Sequence, residues 1–467
     1  MTHYDKVETY YKDKEKEFNY FEEKLCKDFG IPKDILVDTI KSYLVQIICH
    51  QEKNKYQLKR GSILFSIFLY PIGGLYFFYL SIFGKKNCNI EIDILYEEWN
   101  AVGTHFEKFY RPIYNSLIHK KQMIFATTNE KDEIFKDDIL VLKRNIKFNL
   151  EKEISRKIFQ KSFTNFFILL NFSIKCEFDF LNLYLRILRS MCKYETESKN
   201  IKADFLITAF DNGYNALRYW IYKKNGIKDI ISIQNGLRLN MYLYSDFYFS
   251  YGKKQTKNMY GLKAKEIIYS GSFPLFYLFQ KYQNINIKYD VVLIEEYANF
   301  DFESGYRITT FKKILENFKE FAKRNKKFKI AYRVRKTREI GKDDYYLPID
   351  NLLKNSDIIF ESSQSKDSYE AVMKSKVVIT YCSSLGFEAI GINKKVLFCN
   401  YDNFDFLPNV DSPAVSLDCN YEEFEQKLLY LLNTDYNLIE EHYSKLKLEY
   451  MNLQFNPVDK VIEIVNM

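Results

Sequence analysis

Residues 376–391, Lys-Val-Val-Ile-Thr-Tyr-Cys-Ser-Ser-Leu-Gly-Phe-Glu-Ala-Ile-Gly, constrain the fold of this chain more than any other stretch. Val377, Val378 and Ile379 form an apolar, β-branched run of strand length, and the small polar residues after it mark a turn into a helix. A buried strand that feeds a helix directly is the unit from which parallel sheets are built. The same turn has chemical potential. Ser383 and Ser384 place hydroxyls beside backbone N–H groups at the positive end of the helix, where a phosphate binds well. Glu388, one turn further on, is placed to take ribose hydroxyls. In outline this is a site for a nucleotide-linked sugar. Ser-Ser before a helix is also an ordinary N-cap, so the surrounding elements have to separate the two readings.

Those elements alternate. Ile90–Tyr96 reads as a strand, followed by a loop with Gly103 and a helix over 106–118; Met123–Thr127 and Ile139–Leu142 are short apolar runs, and 150–193 is helical. Strands follow at 204–209, 230–233, 247–250 and 266–270, with a helix after Asp211-Asn212-Gly213. A second series starts near Tyr289, with strands at 290–294, 328–332, 358–360, 377–380 and 396–398, a helix over 309–324, and terminal helices over 421–432 and 439–451. Strands that alternate with helices predict α/β domains with mainly parallel sheets. The expected division is 1–86 as a helical N-terminal region, 87–275 as a first Rossmann-like domain for the acceptor, and 276–467 as a second for the nucleotide sugar. The join falls at Gly271-Ser272-Phe273-Pro274, and no internal repeat or low-complexity linker is read.

Within the N-terminal region, Phe18, Phe21, Leu25, Ile35, Leu36, Ile40, Leu44 and Ile47 recur at helical spacing. From Gly61 to Gly84 about 24 residues carry no charge, long enough to cross a bilayer core. Pro71, Gly73 and Gly74 interrupt the run, and Lys59, Arg60, Lys85 and Lys86 flank it on both sides. Three readings compete: a bent re-entrant membrane hairpin, a single spanning helix, and a buried helical hairpin. The first two hold the protein at a membrane.

Composition excludes more than it assigns. The 467 residues are 47% hydrophobic, enough for a large core in more than one domain. The formal charge of +8 is modest and spread out; it fits an anionic membrane surface or phosphate-bearing substrates, though a solvated surface needs no such partner, and no nucleic-acid partner is expected. Eight cysteines without a C-x-x-C pair or companion histidines point to a reduced compartment and no metal framework. The N-terminus lacks the layout of a signal peptide. No P-loop, G-x-G-x-x-G or H-E-x-x-H is present, and no Asp-x-Asp pair stands at a strand end. Neither metal nor cofactor is expected.

In open parallel sheets, ligands bind beyond the carboxyl ends of the strands. In the first domain those ends release Glu97 and Glu98, the Gly103-Thr104-His105 loop, Asp211-Asn212-Gly213, Gln234-Asn235-Gly236 and Gly271-Ser272. In the second they release Glu295-Glu296, then Arg333, Arg335 and Lys336, then Glu361-Ser362-Ser363, then Ser383, Ser384 and Glu388. Arg333 and Arg335 supply fixed positive charge for a phosphate leaving group. A base for an acceptor hydroxyl has to come from the other domain, and Glu97, Glu98, His105 and Asp211 are the candidates. Each of these also has a bland reading, as a surface pair, a structural histidine or a helix cap, and Asn235-Gly236 is a common turn dipeptide.

Taken together, Gln234-Asn235-Gly236 after a strand, Gly271-Ser272 before the connector, the basic cluster at Arg333 and the Ser383-Ser384-Leu385-Gly386-Phe387-Glu388-Ala389 stretch resemble GT-B glycosyltransferases of bacterial surface polysaccharide assembly. The resemblance runs from about residue 90 to 420 and is closest to capsule and lipopolysaccharide enzymes that use CMP-activated Kdo or sialic acid, and to CDP-glycerol polymerases. It implies a GT-B fold of two facing Rossmann-like domains, with Ser383 and Ser384 on the donor phosphate, Glu388 on the ribose, and Arg333 or Arg335 on the phosphate or an acidic sugar. The His-Pro pair common in CMP-sugar transferases is absent, with Tyr332-Arg333-Val334-Arg335 roughly in its place. Asn235 stands where the related turn often bears histidine.

The expected activity is metal-independent transfer from a nucleotide-sugar donor to a surface glycan or lipid-linked acceptor, at the cytoplasmic face of the cell membrane. The rivals are an alditol-phosphate transferase, a GT-B-like scaffold without catalysis, and a nucleotide-sugar epimerase.

Overall fold

The computed structural model describes residues 3–52, 63, 66–73, 75, 90–98, 106–126, 141–143, 152–176, 178–199, 201–209, 216–236, 242–257, 259, 261–278, 284–296, 306–334, 340, 347–354, 356–361 and 368–467. The chain forms two compact units: 1–233 with 240–248 and 259–267, and 234–239 with 249–258 and 268–467. The boundary expected near residue 275 therefore gives way to a crossover, in which two short segments join the second unit before the chain does so for good.

The first unit opens with helices α1 (His3–Asp13), α2 (Glu15–Phe29) and α3 (Lys33–Glu52). Gly30 ends α2 in the left-handed conformation (φ 69°), which glycine adopts without a Cβ penalty. The apolar stripe read from sequence is the core of this region: Phe18, Phe21, Leu25, Ile35, Leu36, Ile40 and Leu44 are buried together with side chains of α5 (Lys152–Cys176) and α6 (Phe180–Ser198). Of the uncharged run, 63, 66–73 and 75 are described. Residues 66–73 are helical, Tyr70 packs between Phe166 and Tyr184, and Ser66 donates a 2.6 Å hydrogen bond to the buried Asp179. No helix among the described residues is long and apolar enough to cross a membrane; the rest of 61–84 lies outside the described residues.

The first sheet holds seven strands in the order β3-β2-β1-β4-β5-β6-β7. They are β1 (Ile90–Glu98), β2 (Gln122–Ala126), β3 (Val141–Lys143), β4 (Ile201–Thr208), β5 (Ile227–Ile233), β6 (Tyr244–Ser250) and β7 (Lys263–Tyr269). The β3–β2, β2–β1, β1–β4 and β4–β5 pairs are parallel. The helix expected over 106–118 winds first as a π turn, Phe106–Tyr110, and then as α4 (Arg111–Ser116). Pro112 has no N–H to give to an i−4 carbonyl, so regular α-helix can only begin around it. Helix α7 (Ala216–Lys224) follows β4 and lays Tyr219 and Tyr222 on Leu95, Leu206 and Ile230 of the sheet.

In the second unit, α8 (Lys253–Lys257) and α9 (Phe273–Leu278) precede a six-stranded sheet of order β10-β9-β8-β11-β12-β13. Its strands are β8 (Tyr289–Ile294), β9 (Ile330–Arg333), β10 (Ile359–Glu361), β11 (Ser375–Thr380), β12 (Lys395–Cys399) and β13 (Val415–Ser416), parallel throughout. The helices are α10 (Tyr306–Arg324), α11 (Leu347–Leu353), α12 (Ser368–Met373), α13 (Ser384–Gly391), α14 (Tyr421–Asn433), α15 (Tyr436–Tyr450) and α16 (Pro457–Asn466). Val291–Ile294, Ala331, Tyr332 and Val377–Ile379 are buried as continuous runs, as strands covered on both faces must be.

Both sheets share the order 3-2-1-4-5 in their own strand numbers, the doubly wound order in which the first strand sits centrally and the chain then crosses to its other side. The central strands also end alike: Ile94-Leu95-Tyr96-Glu97-Glu98 in β1, and Val292-Leu293-Ile294-Glu295-Glu296 at the end of β8. The winding reverses between β1 and β4, and again between β8 and β11. At such a switch point the neighbouring connections leave on opposite sides, so a crevice opens at the carboxyl ends.

Candidate functional site

The β8/β11 switch point lies at the stretch that opened the sequence reading. β11 ends at Thr380, residues 381–383 turn, and Ser383 caps α13 in an extended conformation (φ −74°, ψ 135°), its Oγ accepting from the Leu385 N–H at 3.3 Å. The N-cap reading of Ser383 is therefore correct as far as it goes. Gly386 is needed where it stands: a Cβ there would lie 2.4 Å from Thr380 Cγ2. Ser383 and Ser384 are partly exposed, whereas Leu385 to Ile390 are buried.

A carboxyl group occupies this turn, and the chain supplies it. Glu296, two residues past β8, accepts at Oε1 from Thr380 Oγ1 (2.9 Å) and from the N–H groups of Tyr381 (3.2 Å), Cys382 (3.3 Å) and Ser383 (3.1 Å). Burial pushes the Glu296 carboxyl above its ordinary value, against the pull of these donors. Three successive N–H groups converging on one oxygen make a site that selects negative charge.

The other predicted residues of this unit fall into three sets. Glu388 is 2% exposed and accepts at Oε1 from Ser272 Oγ (2.5 Å) and Tyr369 OH (3.1 Å), so the structure joins two predicted residues 116 positions apart. Arg333 ends β9 and is buried, pairing in register with Ile294 of β8 and Glu361 of β10, and its Nη1 donates to the Glu361 carbonyl at 3.3 Å. Gln234 holds a turn: Oε1 accepts from Ser250 Oγ (2.9 Å) and the Tyr251 N–H (2.7 Å), while Nε2 donates to the Gly236 carbonyl (2.8 Å). Gly271 has φ +71°, and a Cβ on it would sit 2.3 Å from Leu453 Cδ2. Gln234, Gly236 and Gly271 thus shape backbone in the second unit, not the first as the sequence suggested. Arg335, Lys336 and Ser362 lie outside the described residues.

In the first unit, Glu97 and Glu98 are fully buried. Glu97 pairs with Arg218 of α7 and accepts at Oε2 from Thr208 Oγ1 (3.0 Å) and Tyr219 OH (3.3 Å). Glu98 Oε2 accepts from the Phe106 N–H (2.7 Å) at the head of the π turn. Both carboxylates are built into the interior. Gly103, His105 and Asp211 lie outside the described residues.

Sequence reasoning missed Glu296 as the ligand of the 381–383 turn, Tyr369 as a partner of Glu388, and Asp402, which accepts from the hydroxyls of Tyr381 and Thr310 (2.7 Å for the latter). The repeated Glu-Glu after an apolar central strand was the available signal for the first. The other two join elements distant in sequence and left no local pattern.

No protein-family model matches the chain, and no curated protein matches it in sequence. Among solved structures, similar chains include the wall teichoic acid polymerase TagF (13% identity, 80% of this chain and 88% of that one, TM-score 0.44). A putative UDP-N-acetylglucosamine 2-epimerase from Listeria monocytogenes is similar at 13% identity, over 81% of this chain and 96% of that one, with TM-score 0.49. A glycosyltransferase from Rickettsia africae ESF-5 is similar at 15% identity, over 81% and 98%, with TM-score 0.45. The α/β class of two Rossmann-like parallel-sheet units expected from the sequence is the one observed.

Proposed function

We propose that this chain is a membrane-associated GT-B glycosyltransferase that takes a nucleotide-sugar donor at the β8/β11 switch point and transfers its sugar to a surface glycan or lipid-linked acceptor at the cytoplasmic face of the cell membrane. The observation that carries the reading is the 381–383 turn, whose N–H groups already hold a carboxylate beside the Ser383 and Ser384 hydroxyls. A donor phosphate needs the same donors, and it takes the place of the Glu296 carboxylate or binds at its edge through the two serines.

In this reading Arg333, with Arg335 after it in sequence, offsets the charge that develops on the departing nucleotide phosphate, so transfer proceeds without a metal. Glu388 serves the ribose, with Ser272 and Tyr369 fixing its carboxylate. Glu97 and Glu98 are committed to the interior, which leaves His105 and Asp211, after β1 and β4 in sequence, as the proposed bases for the acceptor hydroxyl.

Thermal-shift titration against CMP-, CDP-, UDP- and GDP-linked donors tests the reading, with one nucleotide class expected to raise Tm. Glu388→Ala should abolish that rise, and Glu388→Gln, which keeps the side-chain volume, should weaken it while leaving the unliganded Tm near wild type. Full nucleotide stabilisation in both variants removes Glu388 from the site, and no response to any donor removes the transferase reading.

A further inference from the structure

Two neighbouring elements of the first unit carry bulky apolar side chains on their outer faces. On the segment 66–75 these are Phe68, Ile72 and Leu75, and on α5 they are Phe163, Phe167 and Ile174, each between 50% and 77% exposed. The inner faces of the same elements meet through Tyr70 and Phe166, with ring centroids 5.4 Å apart. The elements are thus anchored by one side and bare on the other. Large apolar side chains gathered on an outer face mark a surface that something covers.

Charge indicates what covers it. Residues 156–176 contain Arg156, Lys157, Lys161 and Lys175 and no acidic residue, and 61–84 contain no charge at all, with Lys59, Arg60, Lys85 and Lys86 at the flanks. Arg156, Lys157 and Lys175 are exposed. Among the described residues, Asp28 and Asp179 approach these elements and are buried, one pairing with Lys161 at 2.8 Å and the other accepting from Ser66, while the half-buried Glu17 lies against Cys176 at the end of α5. A second copy of the chain would set cations against cations in a two-fold interface. An anionic lipid surface would meet the cations with phosphates and the phenylalanines with acyl chains.

We propose that the outer faces of 66–75 and α5 form a monotopic docking surface for an anionic lipid bilayer, with Phe68 and Phe167 as its principal anchors. The proposal deepens the membrane association put forward above by naming the surface and the lipid class. It does not depend on the donor chemistry.

Flotation of the full chain with phosphatidylcholine vesicles, with and without phosphatidylglycerol, tests it. Wild type should float with the phosphatidylglycerol vesicles, and less so as salt is raised. The double variant Phe68→Glu/Phe167→Glu should lose about tenfold or more of that binding, and Ile118→Glu, at another exposed apolar position, should behave as wild type. Anchor positions this exposed tolerate substitution, which an unchanged Tm confirms. Equal flotation of the double variant and wild type overturns the proposal, as does equal binding to vesicles with and without phosphatidylglycerol. A concentration-dependent dimer that the double variant abolishes, without vesicle binding, assigns the face to a second copy and also overturns it. A chain that floats as expected but responds to no nucleotide keeps the surface and removes the enzymatic reading.

Discussion

At the β1/β4 switch point, Glu97 accepts from Thr208 at the end of β4 and is paired with the buried guanidinium of Arg218. At the β8/β11 switch point, Glu296 accepts from Thr380 at the end of β11 and from three backbone N–H groups. The two sheets share their strand order, and each bridges its crevice from central strand to neighbour by a carboxylate and a threonine. They differ in what neutralises the carboxylate. A fixed side-chain cation inside a core cannot leave without exposing a charge, so Glu97 is held in the interior of the first unit. Backbone N–H groups accept any anion of suitable size, so on the proposed reading a donor phosphate can take the place of Glu296 in the second. That contrast is the ground for proposing the donor site in the second unit.

The largest effect expected from this contrast is on Arg218. Arg218→Met leaves Glu97 charged in the interior and should cost about 3–5 kcal/mol of stability in urea unfolding. Adding Glu97→Gln should recover most of that loss, because the pair then disappears as a unit. A loss of under about 1 kcal/mol would mean that the first crevice admits water, the range of an exposed pair, and the contrast would collapse.

A smaller effect separates the two kinds of carboxylate by pH. Burial raises Glu296 on folding. Its favourable contribution is complete below the unfolded value of about 4.3 and is lost as pH rises through the folded value. Relative to Glu296→Gln, wild type should therefore lose stability as pH climbs from about 4. Asp246, in the first unit, shows the opposite sign. Burial raises it, but Lys223, Lys265 and the Ile230 N–H outweigh burial and hold it below its ordinary value. Its contribution is present above about 3.9 and is lost as pH falls through the folded value, so wild type and Asp246→Asn should converge in acid. Parallel pH profiles for the two variants would erase the distinction between cation-paired and N–H-held carboxylates.

Much of the fold was legible because its signals are local. Val291–Ile294 and Val377–Ile379 are apolar runs of strand length, and the helical spacing from Phe18 to Leu44 is the stripe that packs. Ser383 and Gly386 were legible as a helix start for the same reason. The interior of the site was not. Glu388 meets Ser272 across 116 residues, and Glu296 meets the 381–383 turn across 85–87; such pairings are set by strand order, which a single sequence encodes only through the summed packing of every element. Glu97 looked like a base because it ends a strand at a crevice. Arg218, more than a hundred positions later, is what turns it inward.

A crystal of the full chain soaked with the nucleoside diphosphate of the preferred donor tests the central claim most directly. The account predicts diphosphate density within hydrogen-bonding distance, about 3 Å, of the Ser383 and Ser384 hydroxyls, with the Glu296 carboxylate displaced from the 381–383 N–H groups or touching the ligand's edge. Diphosphate density elsewhere, with Glu296 still seated and both serines uncontacted, would contradict it.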